Sequence, residues 1–253
     1  GRVDVAFTDR HGGGSGGPYA SLNLGYGAAD HRDTVEENID LVARAVAARD
    51  DGTKPDPAFA PLAVPLPVVV GMRQVHGVVV EVVDDLAHLP PWPGGPVADA
   101  LVTARPGVML MVRAADCVPI LLADVARGVV GAVHSGRSGL AAGVVQAAVS
   151  VLREQGAQDL VAWVGPHVCG SCYEVPDDLR AEVAGVVPES YSQTSWGTPA
   201  LDLGAGVLAQ LRSAGVNEVT ATGRCTLEDE DLFSYRRQGR ESGRLGGFVW
   251  VRP

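Results

Sequence analysis

Val108-Met109-Leu110-Met111-Val112-Arg113, Pro119-Ile120-Leu121-Leu122-Ala123 and Gly128-Val129-Val130-Gly131-Ala132-Val133-His134 are three apolar runs with only a few residues between them. Each has the length of a strand and is too short for a typical helix. Similar strand-like runs precede them at 68–72, 78–83 and 99–103. Several strands therefore come before the main helices, without regular strand–helix alternation. That order predicts an α+β class over a doubly wound parallel sheet.

Outward from this block the pattern changes. Residues 3–7 alternate weakly and predict a first strand. Residues 11–17, His-Gly-Gly-Gly-Ser-Gly-Gly, have the composition of a linker. They lie between a strand and Leu22-Asn23-Leu24-Gly25, a position that also suits a loop bordering a site. A helix is expected over 33–49, capped by Asp33 or Thr34 with Glu36 or Glu37 three residues on. Its apolar residues Val35, Ile39, Val42 and Val46 recur at helical spacing. The proline-rich stretches 50–67 and 90–96 read as loops. Further helices are expected at 138–154, 176–185 and 203–213, the last stopped by Gly215. Strands are expected at 159–164, near 216–222 and at 247–252. No internal repeat is visible, and 253 residues fit one domain spanning 1–253.

Composition narrows the function. Hydrophobic residues make up 46% and charged residues 20%, the balance of a globular chain with a real core. The formal charge of −10 argues against broad nucleic-acid binding, which needs a basic surface. No apolar run approaches the roughly 20 residues that span a bilayer, and no signal segment opens the chain. A cytoplasmic protein with no membrane partner is the expectation. Four cysteines in 253 residues do not make a disulfide scaffold.

The chemistry concentrates where apolar runs end. His76 lies just beyond 68–72 within Arg73-Gln74-Val75-His76-Gly77. Cys117 follows 108–113 within Ala115-Asp116-Cys117-Val118-Pro119. His134 closes 128–134 and is followed by Ser135-Gly136-Arg137-Ser138-Gly139. Taken singly, a histidine beside a strand is ordinary, and a buried cysteine is usually a small hydrophobe. Together, two imidazoles and one thiolate form a set that zinc accepts, with a fourth position left for water or substrate. Asp116 is a carboxylate in an otherwise apolar stretch, which is costly unless it is paired. It is a candidate to orient a metal-bound imidazole or to accept a proton. Arg137 stands at an expected helix start, where backbone N–H groups favour anions. Cys169-Gly170-Ser171-Cys172 is a single C-x-x-C pair. That weak signal leaves a second metal, a redox disulfide and incidental spacing all open.

These segments, in this order, carry a resemblance. With Phe7-Thr8-Asp9-Arg10-His11-Gly12-Gly13, Pro18–Gly25, Gly165-Pro166, Cys172-Tyr173-Glu174-Val175, Cys225-Thr226 and Phe233-Ser234-Tyr235-Arg236-Arg237, the chain resembles the bacterial YfiH or laccase-domain family nearly end to end. The resemblance implies one layered α+β domain with a mixed sheet. It implies one zinc per chain on His76, Cys117 and His134, with catalytic importance on Cys117, Asp116, His76 and His134. Asn23, Arg73, Gln74 and Arg137 complete the site as candidates for substrate contact. Tyr173 and the Arg236–Arg237 pair are expected near the active face. Where many members read His-Ala-Gly-Trp-Arg-Gly, this chain has Ser135, Arg137 and Ser138. A contact made by that Trp and Arg is therefore not expected here.

The activity implied is zinc-dependent processing of purine nucleosides: phosphorolysis of adenosine, inosine or methylthioadenosine, and deamination of adenosine. Purine nucleoside and phosphate are then the partners. Two other classes stand beside it. A copper polyphenol oxidase needs about ten histidines for four coppers, whereas this chain has six and no His-x-His pair. Copper could still enter the zinc site adventitiously. A cysteine hydrolase or peptidoglycan-precursor editing factor would use Cys117 as nucleophile with His76 or His134 as base.

Overall fold

The computed structural model describes residues 2–26, 29–48, 66–90 and 95–252. Two mixed sheets pack face to face with helices on both outer sides. The first sheet has the order β1 (Val3–Phe7), β12 (Leu245–Val251), β5 (Val108–Ala114), β2 (Val68–Val70). The second runs β11 (Glu218–Ala221), β8 (Val161–Val164), β6 (Val118–Asp124), β7 (Val129–Ser135), β4 (Ala100–Thr103), β3 (Val80–Val82). The α+β class holds, but two sheets stand in place of the one expected.

The reason is visible residue by residue. Along β5, Val108, Leu110 and Val112 face inward with Leu121, Ala123, Val130 and Ala132 of the second sheet. Met109 and Met111 face outward with Phe248 and Trp250, under Val35, Ile39 and Val42 of α1 (Arg32–Ala47). On the second sheet Ile120, Leu122 and Val133 face away from the first. They are covered by Leu140 of α2 (Arg137–Ala142), Val145, Val149 and Leu152 of α3 (Val144–Glu154), and Val207 and Leu211 of α5 (Leu203–Ser213). Strands buried on both faces need apolar residues on both alternations, and this explains the near-continuous runs in the sequence.

Several expectations need correction. The helix expected over 138–154 is two helices, broken at Gly143, whose φ of +87° interrupts the α-helical ladder. The first helix begins at Arg32 with His31 at its N-cap and no side-chain cap, so neither Asp33 nor Thr34 caps it. Residues 50–65 and 91–94 of the proline-rich loops lie outside the described residues. The glycine-rich segment is tied down and does not behave as a linker. The Gly14 N–H donates to Asn38 Oδ1 of α1 at 2.8 Å, and the Ser15 N–H donates to the Ser21 carbonyl at 2.8 Å. The antiparallel hairpin of β9 (Tyr191–Gln193) and β10 (Pro199–Leu201) is too short and polar to have been legible. It packs near α4 (Asp177–Val186). Among the described residues no helix is long and apolar enough to cross a membrane.

The layer between α1 and the first sheet gives a direct test. Phe248 is fully buried there, whereas Leu41 on the outer side of α1 is 48% exposed. Phe248→Ala is expected to destabilise the fold by about 3–5 kcal/mol, the usual cost of emptying an aromatic site. Leu41→Ala should cost under about 1 kcal/mol. Urea unfolding followed by circular dichroism checks both, and equal midpoints for the two variants would contradict this packing.

Candidate metal centre and its cavity

The sandwich brings the three sequence-predicted ligands to one end. β2 and β5 are parallel neighbours in the first sheet, so the chain leaves both at the same edge. Residues 71–79 then cross to β3, and residues 115–117 cross to β6, both in the second sheet. β7 runs antiparallel to β6 with Pro119 opposite His134 and Val118 opposite Ser135. The end of β7 therefore meets the start of β6, and His134 comes beside Cys117.

The ligand atoms of His76, Cys117 and His134 all lie within 4.8 Å of one another. Cys117 Sγ is 3.6 Å from His76 Nε2. The two imidazoles stand edge to face, with centroids 4.8 Å apart and planes at 75°. Ligands on one tetrahedral zinc-sized ion, with bonds of 2.0–2.3 Å, are separated by about 3.4–3.8 Å. The donor set and its spacing fit such an ion. A Cβ on Gly136 would overlap the His76 ring and lie 3.1 Å from Cys117 Sγ, so only glycine leaves this space open.

A carboxylate absent from the sequence-based site set organises the centre. Asp99, fully buried just before β4, accepts from His134 Nδ1 at 2.8 Å. The same carboxylate accepts the backbone N–H groups of Val75 (3.2 Å), His76 (2.9 Å) and Gly77 (2.6 Å). The Asp99 carbonyl also accepts the His134 N–H at 2.8 Å. With Nδ1 engaged, His134 presents Nε2 to a metal, the usual outer-sphere arrangement of a ligating histidine. Asp116 therefore does not orient an imidazole, the first of the two roles for which the sequence made it a candidate. Its two oxygens accept from Thr226 Oγ1 (2.7 Å) and the Arg236 N–H (2.6 Å), which fixes the turn carrying Cys117. Among the described residues, the non-glycine residues with positive φ are His76 (61°) and Asp116 (91°). Such conformations persist where surrounding bonds over-determine them, and both sit at this centre.

Around neutral pH the electrostatics favour a thiolate on Cys117 and a protonated imidazole on His134, an ion pair. Burial alone would raise the thiol, but hydrogen bonds from His134 and His76 outweigh it and hold Cys117 down at about 6. Burial alone would lower His134, but the bonds to Asp99 and Cys117 raise it to about 9. Burial pushes the Asp99 carboxyl up, yet the His134 and backbone donors bring it below the ordinary carboxylate value.

The centre opens into a cavity of about 1170 Å³. Five arginines line it: Arg73, Arg113, Arg236, Arg240 and Arg244. Tyr26, Tyr173 and Tyr235 line it too, and Asp116 is the carboxylate on its wall among the described residues. Arg113 is held down at about 10 by burial. Arg236 lies 4.9 Å from the Tyr173 ring centre, and Arg244 lies 5.7 Å from that of Tyr235.

The other expected contact residues divide. Arg73 and Gln74 reach the cavity, but the Gln74 amide is engaged in both directions with the backbone of Arg113, at 2.7 and 3.0 Å. Asn23 is completely buried and does not line the cavity. Its oxygen accepts from Gly25 and Arg244 N–H groups, both at 2.8 Å, and its amide donates to Gly25 and Asp30. Asn23 thus shapes a wall that it does not touch. Arg137 opens α2 beyond the candidate ligand His134 and is half-buried, but it is not on the cavity wall. The glycine-rich segment 11–17 does not line the cavity; just after it, the Pro18 carbonyl accepts from Gln238, next to the lining Gly239, at 3.1 Å. His11 pairs with Asp231 at 2.8 Å on the exposed surface. Sequence reasoning missed Asp99, although the same cost of a carboxylate in an apolar run singled out Asp116. It also missed Tyr26, Arg113, Arg240 and Arg244, which carry no local signal.

Two outcomes follow from this geometry. Asp99→Asn removes acceptor capacity from four donors and should weaken divalent-metal affinity by about 10–100-fold. Competition with a chromophoric chelator measures it, and an unchanged affinity would remove Asp99 from the centre. The second outcome concerns protons. Metal binding needs a thiolate and a neutral imidazole, so between about pH 6 and 9 it must displace the His134 proton. From the Cys117–His134 pair, release should be about one proton per metal near pH 7.5, rising toward two below pH 6 and falling to none above 9. Affinity therefore increases with pH across this window. Calorimetry in buffers of different ionisation enthalpy reads the count, and no proton release at pH 7.5 would contradict the ion pair.

The family model described as multi-copper polyphenol oxidoreductase laccase matches residues 4–252. Purine nucleoside phosphorylase ORF3 of Streptomyces griseus is 49% identical over 256 residues, covering 99% of this chain and 95% of that protein. A purine nucleoside phosphorylase of Streptomyces coelicolor is 49% identical over 249 residues, covering 97% and 94%. Among solved structures, the hypothetical protein YfiH of Bacillus licheniformis matches with a TM-score of 0.83 at 25% identity, covering 99% of this chain and 93% of that one. Matched in this way along nearly its whole length by sequence and by structure, the chain belongs to the laccase-like YfiH family.

Proposed function

We propose that this protein is a zinc-dependent purine nucleoside enzyme, acting chiefly by phosphorolysis of adenosine, inosine or methylthioadenosine and also deaminating adenosine. One observation carries the reading. In a chain of formal charge −10, five arginines share a cavity wall with three metal donors. That is a pocket for an anion beside a Lewis acid. The names of the Streptomyces relatives supply the same substrate class.

The cavity is large enough for a nucleoside and a phosphate together. Tyr26, Tyr173 and Tyr235 offer faces and edges to a purine. The arginines bind phosphate, neutralise its charge and hold one oxygen toward the sugar C1′. In phosphorolysis that oxygen bonds to C1′, the C1′–N9 bond breaks, and the base leaves with the electron pair and takes up a proton. In deamination water adds at purine C6 and ammonia leaves. His76, Cys117 and His134 would hold the zinc, which would supply Lewis acidity beside the substrate. Asp99 and Asp116 act as positioning residues.

The competing readings meet particular residues. Of the six histidines, only His76 and His134 converge, while His11, His31, His88 and His167 lie elsewhere. A four-copper oxidase site is not assembled from them. A cysteine hydrolase is favoured by one feature, the depressed Cys117 thiol beside two imidazoles. A nucleophilic thiolate would be alkylated readily in the protein as purified, whereas a metal-bound one is protected until the metal is stripped.

Product analysis by mass tests the proposal. Zinc-loaded protein with adenosine and phosphate should yield adenine and ribose 1-phosphate; without phosphate it should yield inosine. Adenosine recovered unchanged in both conditions would overturn it. Arg73→Ala and Arg240→Ala should each raise the phosphate KM roughly tenfold, since a charge-assisted hydrogen bond contributes about 1.5–3 kcal/mol. Arg137→Ala, off the cavity wall, should change it less. Deamination should fall little in all three, and an equal loss of both reactions would count against a phosphate site.

A further inference from the structure

A second cluster of ligands lies apart from this cavity centre. Cys169, Cys172 and Cys225 with Glu228 place four ligand atoms within 4.8 Å of one another. All three cysteines are free thiols, with Cys172 and Cys225 buried and Cys169 half-buried. The C-x-x-C pair sits on a tight turn in which the N–H groups of Cys172 and Tyr173 both donate to the Cys169 carbonyl at 3.0 Å. Cys225 arrives from 56 residues away, and its Sγ accepts the Cys169 N–H at 3.4 Å. Parallel bridging of His167 with Cys225 sets the two segments side by side. Val168, Tyr173 and Leu227 pack around the sulfurs.

We propose that Cys169, Cys172, Cys225 and Glu228 form a second, structural zinc site. C-x-x-C is the spacing by which structural zinc sites take two of their ligands. A third thiolate from a distant segment and a carboxylate close the coordination, leaving no open position, as structural sites require. Three soft sulfur donors select zinc over hard cations such as magnesium or calcium. A disulfide between any two of the sulfurs would leave the third unmatched. Without a cation the cluster is crowded: burial and then the neighbouring sulfurs push Cys172 well up, and Cys169 is raised as well. Binding releases those protons to solvent, and no oxidant is involved.

The site joins two segments that support the cavity from behind. The Val168 N–H donates to the Asp116 carbonyl at 3.1 Å, and Thr226 Oγ1 donates to the Asp116 carboxylate at 2.7 Å. Tyr173, next to Cys172, lines the cavity. A metal here would pin both sides of the turn that carries Cys117, while taking no part in chemistry. This inference is independent of the substrate and of what the first centre holds.

Metal counting on the intact protein, purified without affinity resin or chelator, decides it. Wild type should contain two zinc ions per chain. A Cys117→Ala, His134→Ala variant should keep one, and Cys169→Ser should also keep one. With cobalt in place of zinc, a thiolate-to-metal absorption band should persist in the first variant and be mostly lost in Cys169→Ser. One zinc in wild type that vanishes in the first variant overturns the proposal. So does a disulfide among the three cysteines found by mass mapping, or a folded Cys169→Ser variant that keeps two ions. Should Cys169→Ser fail to fold, the wild-type count and the Cys117→Ala, His134→Ala count decide the matter on their own.

Discussion

One buried carboxylate holds the centre together. Asp99 accepts from three consecutive backbone N–H groups and from the imidazole of His134. A carboxylate out of water is costly unless its lone pairs are filled, and here they are. The same bonds hold His76 in a left-handed backbone conformation and fix which nitrogen His134 presents. Two of the three candidate metal ligands thus depend on one side chain. The third depends on Asp116, whose oxygens are bonded to Thr226 and Arg236.

The location of the site follows from how the chain moves between layers. β2 and β5 leave the first sheet at the same end and lead into β3 and β6 of the second, so these two connections lie together. In the central strands the ladders engage the backbone and both faces are apolar, which leaves the crossing turns to carry polar chemistry. Asp99, His76 and Cys117 all stand on or beside such crossings, and His134 ends the strand that faces them.

Charge is arranged against the average of the chain. A formal charge of −10 coexists with a cavity walled by five arginines. Burial lowers Arg113 and Arg244 below the ordinary arginine value, so these guanidiniums carry a desolvation cost that an anionic ligand would offset. The inert residues matter as well. Asn23 and Gln74, which motif and position marked for substrate contact, spend their amides on the backbone of Gly25, Arg244 and Arg113. They make the wall on which the arginines stand.

The sequence by itself determined the strands of the two large sheets, because their β-branched and apolar runs are local, and it marked the candidate metal donors, because His76, Cys117 and His134 each close or follow such a run. It also determined α5 as Leu203–Ser213, bounded by Asp202 at its N-cap and by Gly215 with φ of +80° just beyond it. Only the tertiary structure decided that the strands divide into two sheets, since pairing partners are non-local and an apolar run does not say what covers each face. Only the tertiary structure chose Asp99 over Asp116 as the partner of His134, because both are carboxylates in apolar surroundings and their roles differ by which donors reach them. It likewise gathered arginines from positions 73 to 244 into one cavity and brought Cys225 to the C-x-x-C turn. Convergence across such distances leaves no periodicity in the chain, because it is set by layer packing and strand register.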